Sequence, residues 1–348
     1  MGQPKTITNS KRDSGLDVAR ALCALWVVGF WHLVCYITPP YNAYTPVGQC
    51  VTDVFMACFM LISGYVLNRY TFTNIYDVKN FYLKRIVRFY ILFMLSSVSL
   101  YVANLYIGSP MFYDFSHLIL NLLGLTTIFP PHAGMLWFMS MIMLFYILTP
   151  FIQYNNKYMM AKSALIMVLF VLWYMTGFQI DKMVFVYFPI YSIGLLTPRP
   201  IFDRLRNNIW IFIINILLTP IFVYLSLIPE WGITKIILSI LSCLCGSMSI
   251  ITFSTCLSKT SKHISYLFEF MAYGSLCAYL FHRHFYSIID SAMNYMGIQV
   301  SVYIVLGMYL PIMLIVTYFM QRIYDKILSS ITFWYKAEYS QQITYSKR

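Results

Sequence analysis

Apolar runs broken by short polar intervals follow one another along most of this chain. Ten of them, near 16–37, 51–68, 84–107, 135–152, 163–178, 183–197, 208–228, 234–257, 265–290 and 300–322, approach the roughly 20 residues that an α-helix needs to cross the hydrocarbon core of a bilayer. A further apolar piece, 116–129, is short and runs into the breaker Pro130-Pro131, which predicts a re-entrant or interfacial helix in place of a crossing. The polar intervals are too short to fold alone. The expected organisation is a cytoplasmic N-terminal segment at 1–15, one membrane domain at 16–322 and a cytoplasmic or interfacial tail at 323–348. The fold class is therefore all-α, a polytopic membrane helix bundle of about ten transmembrane helices, and any chemistry belongs inside the bundle or at its two faces.

Composition supports the same reading: 60% of the 348 residues are hydrophobic and only 10% are charged, which excludes an ordinary soluble domain. Lys and Arg collect at the cytoplasmic ends of spans. With the N-terminus inside the cell, all 24 basic residues fall on the cytoplasmic side except Lys182, Lys235 and Arg283, so both termini are expected to be cytoplasmic. Topology and attraction to anionic lipid heads then account for the net charge of +12; the lipid bilayer is a partner and nucleic acid is not. The first run is long, carries Arg20 and His32 and has no small-residue cleavage pattern, which predicts an anchoring span. The eight cysteines lie almost all within spans and form no CxxC pair; they are expected to pack as small apolar residues, with neither a disulfide nor a metal. Thirty Tyr and 27 Phe fit wide aromatic belts.

Ionisable groups at membrane depth are costly enough to imply a task. His32 lies about 12 residues beyond Arg20, which at 1.5 Å per residue places it roughly 18 Å deeper along the helix. A neutral imidazole there has a basicity suited to removing a proton from a hydroxyl near neutral pH. At the cytoplasmic entrance to the third run, YLKRIVRFY holds Lys84, Arg85 and Arg88; the last two are three apart, hence on one helix face, in what is expected to be the first turn of a span, where free N–H groups also favour anions. That combination suits a phosphate. In CAYLFHRHFY, His282 and His284 are two apart and cannot share a face, so no two-histidine metal site is expected, and Arg283 lies between them. Ser63-Gly64 lets another helix or a ligand approach the backbone. Asp53, Glu269 and Asp290 are candidates to orient a histidine.

Taken in order, LDVAR…VVGFWH, FMLISGYVL, YLKRIVRFY, MLWFMSMIMLFYILTPFI and CAYLFHRHFY resemble the successive signatures of the membrane acyltransferase-3 family, over about 16–322. The resemblance implies a stand-alone enzyme of the bacterial inner membrane, without a fused extracytoplasmic esterase-like domain. Such an enzyme moves an acyl group, usually acetyl, from cytoplasmic acyl-CoA to a hydroxyl of a surface glycan or its lipid-linked precursor. Acyl-CoA is then a co-substrate, and no cofactor is permanently bound. The implied catalytic residues are His32 and Arg20, with His32 either deprotonating the acceptor hydroxyl or transiently carrying the acyl group; Arg85 and Arg88, with Lys84 beside them, would hold acyl-CoA; Ser63, Gly64, His282 and Arg283 would lie on the substrate side.

Two features depart from the family pattern. Eleven residues separate Arg20 from His32 where the family has ten, and in a regular helix the extra step turns the pair from about 20° apart to about 120° apart. A π-bulge near Gly29 would absorb one residue and restore the shared face. Ala57 stands where the family carries an acidic residue, with Asp53 one turn earlier. Two other functions fit the composition. A transporter or flippase of a lipid-linked glycan or small anion would leave acyl-CoA unconsumed, and a glycan polymerase would be expected to carry a basic extracytoplasmic loop, which the outer segment at about 108–134 is not.

Overall fold

The computed structural model describes residues 13–32, 45–107, 115–129, 136–298, 301 and 305–345. The described residues are helical, with one isolated bridge between Phe72 and Tyr154. The expected end of the first span, the start of the last, the Pro130-Pro131 break, most of the N-terminal segment and the Asp290 side chain lie outside the described residues.

Helix α1, Ser14–Trp26, starts where Asp13 accepts the Leu16 N–H at 3.3 Å, with Asp17 in the first turn against the positive end of the helix dipole. It continues through a π-turn, Val27–Trp31, to His32. Helix α2, Pro46–Leu67, starts at a Thr45 cap with proline in its first turn. Helix α3, Ile75–Tyr82, opens on an Asn74/Asp77 capping box and passes through a second π-turn, Leu83–Val87, into α4, Arg88–Ile107. Helices α5 (Phe115–Leu122), α6 (Trp137–Gln153), α7 (Met159–Met175), α8 (Val184–Leu196) and α9 (Arg199–Arg206) follow, then α10 (Ile209–Leu227), α11 (Ile233–Thr260), α12 (Lys262–Tyr295) and α13 (Leu310–Tyr345). Seven described helical segments are long and apolar enough to cross a membrane, and α6, α7 and α8 are shorter apolar helices; all ten fall on the runs expected from sequence. At eight residues, α5 is too short to cross. Helix α13 runs past residue 322 without a break.

Helix α1 is enclosed by α2, α11 and α12, with Val18, Ala19, Ala21 and Cys23 fully buried along it. Lipid gives little hydrophobic reward for bringing helices together, so small residues at crossings decide how closely they pack. The α2/α8 crossing shows this. A Cβ on Gly64 would overlap the Tyr191 carbonyl oxygen and stand 2.8 Å from the Leu195 nitrogen, and one on Gly194 would overlap the Leu61 carbonyl oxygen.

Polar links gather at the end that the charge pattern assigns to the cytoplasm. Arg206 of α9 pairs with Asp13 at 2.7 Å and Asp203 at 2.9 Å, and Asp203 also accepts from the Tyr65 hydroxyl at 2.9 Å. Burial by itself would raise the Asp13 carboxyl, but the Arg206 guanidinium and the N–H groups of Leu16 and Gly15 outweigh it and hold the group below the usual carboxylate range. The start of α1 is thereby tied to α9.

Candidate active site

The π-turn in α1 determines where His32 points. The His32 N–H reaches back to the Val27 carbonyl at 2.9 Å, one residue further than an α-helical bond. The turn absorbs the extra residue between Arg20 and His32, as the spacing led us to expect. Across from it on α12, the His282 ring stacks on the His32 ring at 4.7 Å with 9° between planes. His282 is fully buried, and its Nδ1 faces two backbone oxygens, Tyr279 at 2.7 Å and Ala278 at 3.1 Å. Carbonyls can only accept, so Nδ1 carries the proton and Nε2 keeps its lone pair. Among the described residues, His282 Nε2 and His32 Nδ1 are both buried without a hydrogen-bond partner. Tyr279 and Tyr286 flank the pair, with ring centroids 6.0 and 5.9 Å from His282. Arg283 is near enough to act on both imidazoles through its charge. Two stacked imidazoles with open nitrogens, inside an aromatic wall, can accept and return a proton.

The basic layer is built differently from the sequence expectation. Lys84, Arg85 and Arg88 lie well inside a continuous helix that begins at Ile75, so no free helix N-terminus stands beside them. The π-turn Leu83–Val87 also unwinds the helix between the two arginines, and their partners differ. Arg85 contacts Tyr70, with Nη2 3.3 Å from the hydroxyl and the guanidinium 5.7 Å from the ring centre, whereas Arg88 pairs with Asp325 of α13 at 2.6 Å. Burial would raise the Tyr70 hydroxyl, but the charges of Arg85 and Arg69 bring it below its ordinary value. Asp325 also receives the Tyr273 hydroxyl at 2.7 Å and Gln321 at 3.1 Å. Tyr273 precedes His282 by nine residues on α12, which sets the two layers about 14 Å apart along the helix.

The profile of an acyltransferase domain, Acyl_transf_3, matches residues 13–322, nearly the whole chain. The chain belongs to the acyltransferase-3 family. It is a multi-pass membrane acyltransferase. No curated protein and no solved structure matches it.

The remaining predicted residues are spread through this acyltransferase rather than gathered at one point. Arg20 sits in the N-terminal half of the first span, half-exposed, with Nη1 3.3 Å from Asp17, and helix rise separates it from His32 by about 18 Å. Gly64 packs against the α8 backbone at the crossing, and Ser63 beside it is half-buried. Asp53 accepts from Gln49 at 3.0 Å and Tyr187 at 3.1 Å, and Glu269 from Ser265 at 3.2 Å. The group that orients His282 is its own helix backbone. His284 points elsewhere, with Nε2 2.7 Å from the Ser99 hydroxyl of α4. Sequence reasoning missed Asp325 and Tyr286. Tyr286 is one helical turn beyond His282 and hence on its face, a spacing visible in the sequence.

Proposed function

We propose that this acyltransferase takes an acetyl group from cytoplasmic acyl-CoA and transfers it to a hydroxyl of a surface polysaccharide or its lipid-linked precursor, in the bacterial cytoplasmic membrane. The stacked His32–His282 pair, with open nitrogens at membrane depth, is the observation that carries the chemistry. Arg85 and Arg88, with Lys84 beside them, take the donor phosphates; phosphate displaces Asp325 from Arg88. The pantetheine arm spans the interval between the layers and brings the thioester carbonyl to the imidazoles. There an imidazole nitrogen accepts the hydroxyl proton as the oxygen attacks the carbonyl carbon. The tetrahedral adduct then expels the CoA thiolate, which takes the proton back from the imidazolium. Enclosure by α1, α2, α11 and α12 keeps out water that would hydrolyse the thioester.

Mass spectrometry of surface glycans from cells with the gene, without it, and with His32→Ala tests the reading. The expected result is one acetyl fewer per repeat in the last two strains. Unchanged repeat masses with altered glycan amount or chain length would replace acetyl transfer by export or polymerisation.

A further inference from the structure

A π-turn releases one carbonyl. Because the His32 N–H bonds Val27, the Val28 oxygen loses the donor that a regular α-helix would supply. In a membrane interior no water is at hand to replace it. The donor found there is the hydroxyl of Tyr286, 2.8 Å from the Val28 oxygen, on a side chain only 3% exposed. The same ring lies edge-on to His282, at 5.9 Å and 74°, and projects from the same face of α12. One side chain therefore touches both the bulge that aims His32 and the ring onto which His32 is aimed.

We infer that Tyr286 is a positioning residue: its hydroxyl, by capping Val28, holds α1 in the π-register that turns His32 onto His282. The competing arrangement is a regular α-helix in which the His32 N–H satisfies Val28 itself. That register rotates His32 by roughly one residue step, about 100°, away from the pair. Leaving the carbonyl uncapped shifts the balance towards it by about tenfold or more, the usual penalty for an unpartnered buried polar group. Gly29 fits the bulged form, since a Cβ there would come within 2.8 Å of the Leu310 side chain. The inference rests on His32 and His282 as the reacting pair only for its kinetic consequence; the geometric consequence stands apart.

Tyr286→Phe keeps the ring and removes only the hydroxyl. In the full-length membrane protein, cross-linking of the His32→Cys/His282→Cys pair by a short thiol-to-thiol reagent, read by peptide mass spectrometry, is expected to fall, by up to about tenfold, when Tyr286→Phe is added. In the otherwise native protein Tyr286→Phe is expected to lower kcat by the same factor as the cross-linking and leave the KM for acyl-CoA unchanged. Deleting Gly29 removes the extra residue and the need for a π-turn, so Tyr286→Phe should then have no further effect on cross-linking. Wild-type cross-linking in Tyr286→Phe, or an equal loss with and without Gly29, would overturn the inference. If His32→Ala retained full transfer, the catalytic reading of the pair would fail while the cross-linking comparison still decided the role of Tyr286.

Discussion

Replacing Gly64 by alanine separates a packing role from a role in substrate binding. The added methyl would meet backbone on two sides, the Tyr191 carbonyl and the Leu195 nitrogen at 2.8 Å, and neither can rotate out of the way as a side chain would. Helices α2 and α8 must separate by roughly 1 Å, and overpacking a rigid interface in this way costs about 1–3 kcal/mol, with backbone against backbone at the upper end. A loss near 3 kcal/mol lowers the melting temperature of a chain this size by roughly 5 °C. The assay is thermal unfolding of the detergent-purified protein, with Gly194→Ala, which overlaps the Leu61 carbonyl on the other side of the crossing, as the matched variant. Gly232→Ala is the control, since the nearest atom to its added carbon, the Glu230 oxygen, is 4.0 Å away. The reasoning would be refuted by a Gly64→Ala protein that melts with the wild type yet has lost transfer, because that outcome returns Gly64 to the substrate.

Further outcomes follow from the two layers. His32→Ala should abolish transfer at normal protein level, as measured by CoA release from acyl-CoA; undiminished release would remove the imidazole from the reaction. Arg88→Ala should raise the KM for acyl-CoA several-fold with kcat little changed, and a pure kcat loss would move Arg88 out of donor binding. Asp325→Asn frees the Arg88 guanidinium from a 2.6 Å ion pair whose partners are both partly exposed, so stability should fall by less than about 1 kcal/mol while the KM for acyl-CoA drops; a raised KM would show that Asp325 orients the arginine for the donor. The Asp13 carboxyl, held below its ordinary range in the fold, contributes stability that is fully present above the unfolded-state value and is lost as pH falls through the lowered one. The melting difference between wild type and Asp13→Asn should therefore persist from neutrality to mildly acidic pH and close only in strong acid; a difference already closed at about pH 6 would contradict the Arg206 link.

The spans were legible because a bilayer leaves the chain little choice: a backbone that crosses hydrocarbon must satisfy its own hydrogen bonds within a helix, and that demand writes ten apolar runs into the sequence. The π-turn was legible for a narrower reason. One surplus residue between Arg20 and His32 requires somewhere to go, and Gly29 is the residue there that tolerates the close approach of Leu310. The second π-turn, through LKRIV, had no such marker, and nothing in the sequence announced the separate partners of Arg85 and Arg88. Asp325 stands 237 residues from Arg88, and Gly194 has no mark that pairs it with Gly64. Small residues announce that something comes close, without saying what.

The separation of the layers also bears on which donor suits the site. Along α12, Tyr273 belongs to the arginine layer through Asp325, Cys277 meets Gln321 one turn on, and His282 lies in the imidazole layer, about 14 Å above the first. A donor that anchors by phosphate on Arg85 and Arg88 must carry its reactive carbonyl across that interval. An acyl phosphate holds its carbonyl carbon one oxygen away from the charge, so binding it at the arginines would leave the acyl group among them, far from either histidine. Acyl-CoA, the donor proposed above, would meet that demand with phosphates at one end, a long and largely uncharged arm, and a thioester at the other. Competition should follow the same rule: free CoA, which has both the phosphates and the arm, should inhibit transfer strongly, whereas acetyl phosphate should compete only weakly at the arginines and should not serve as donor.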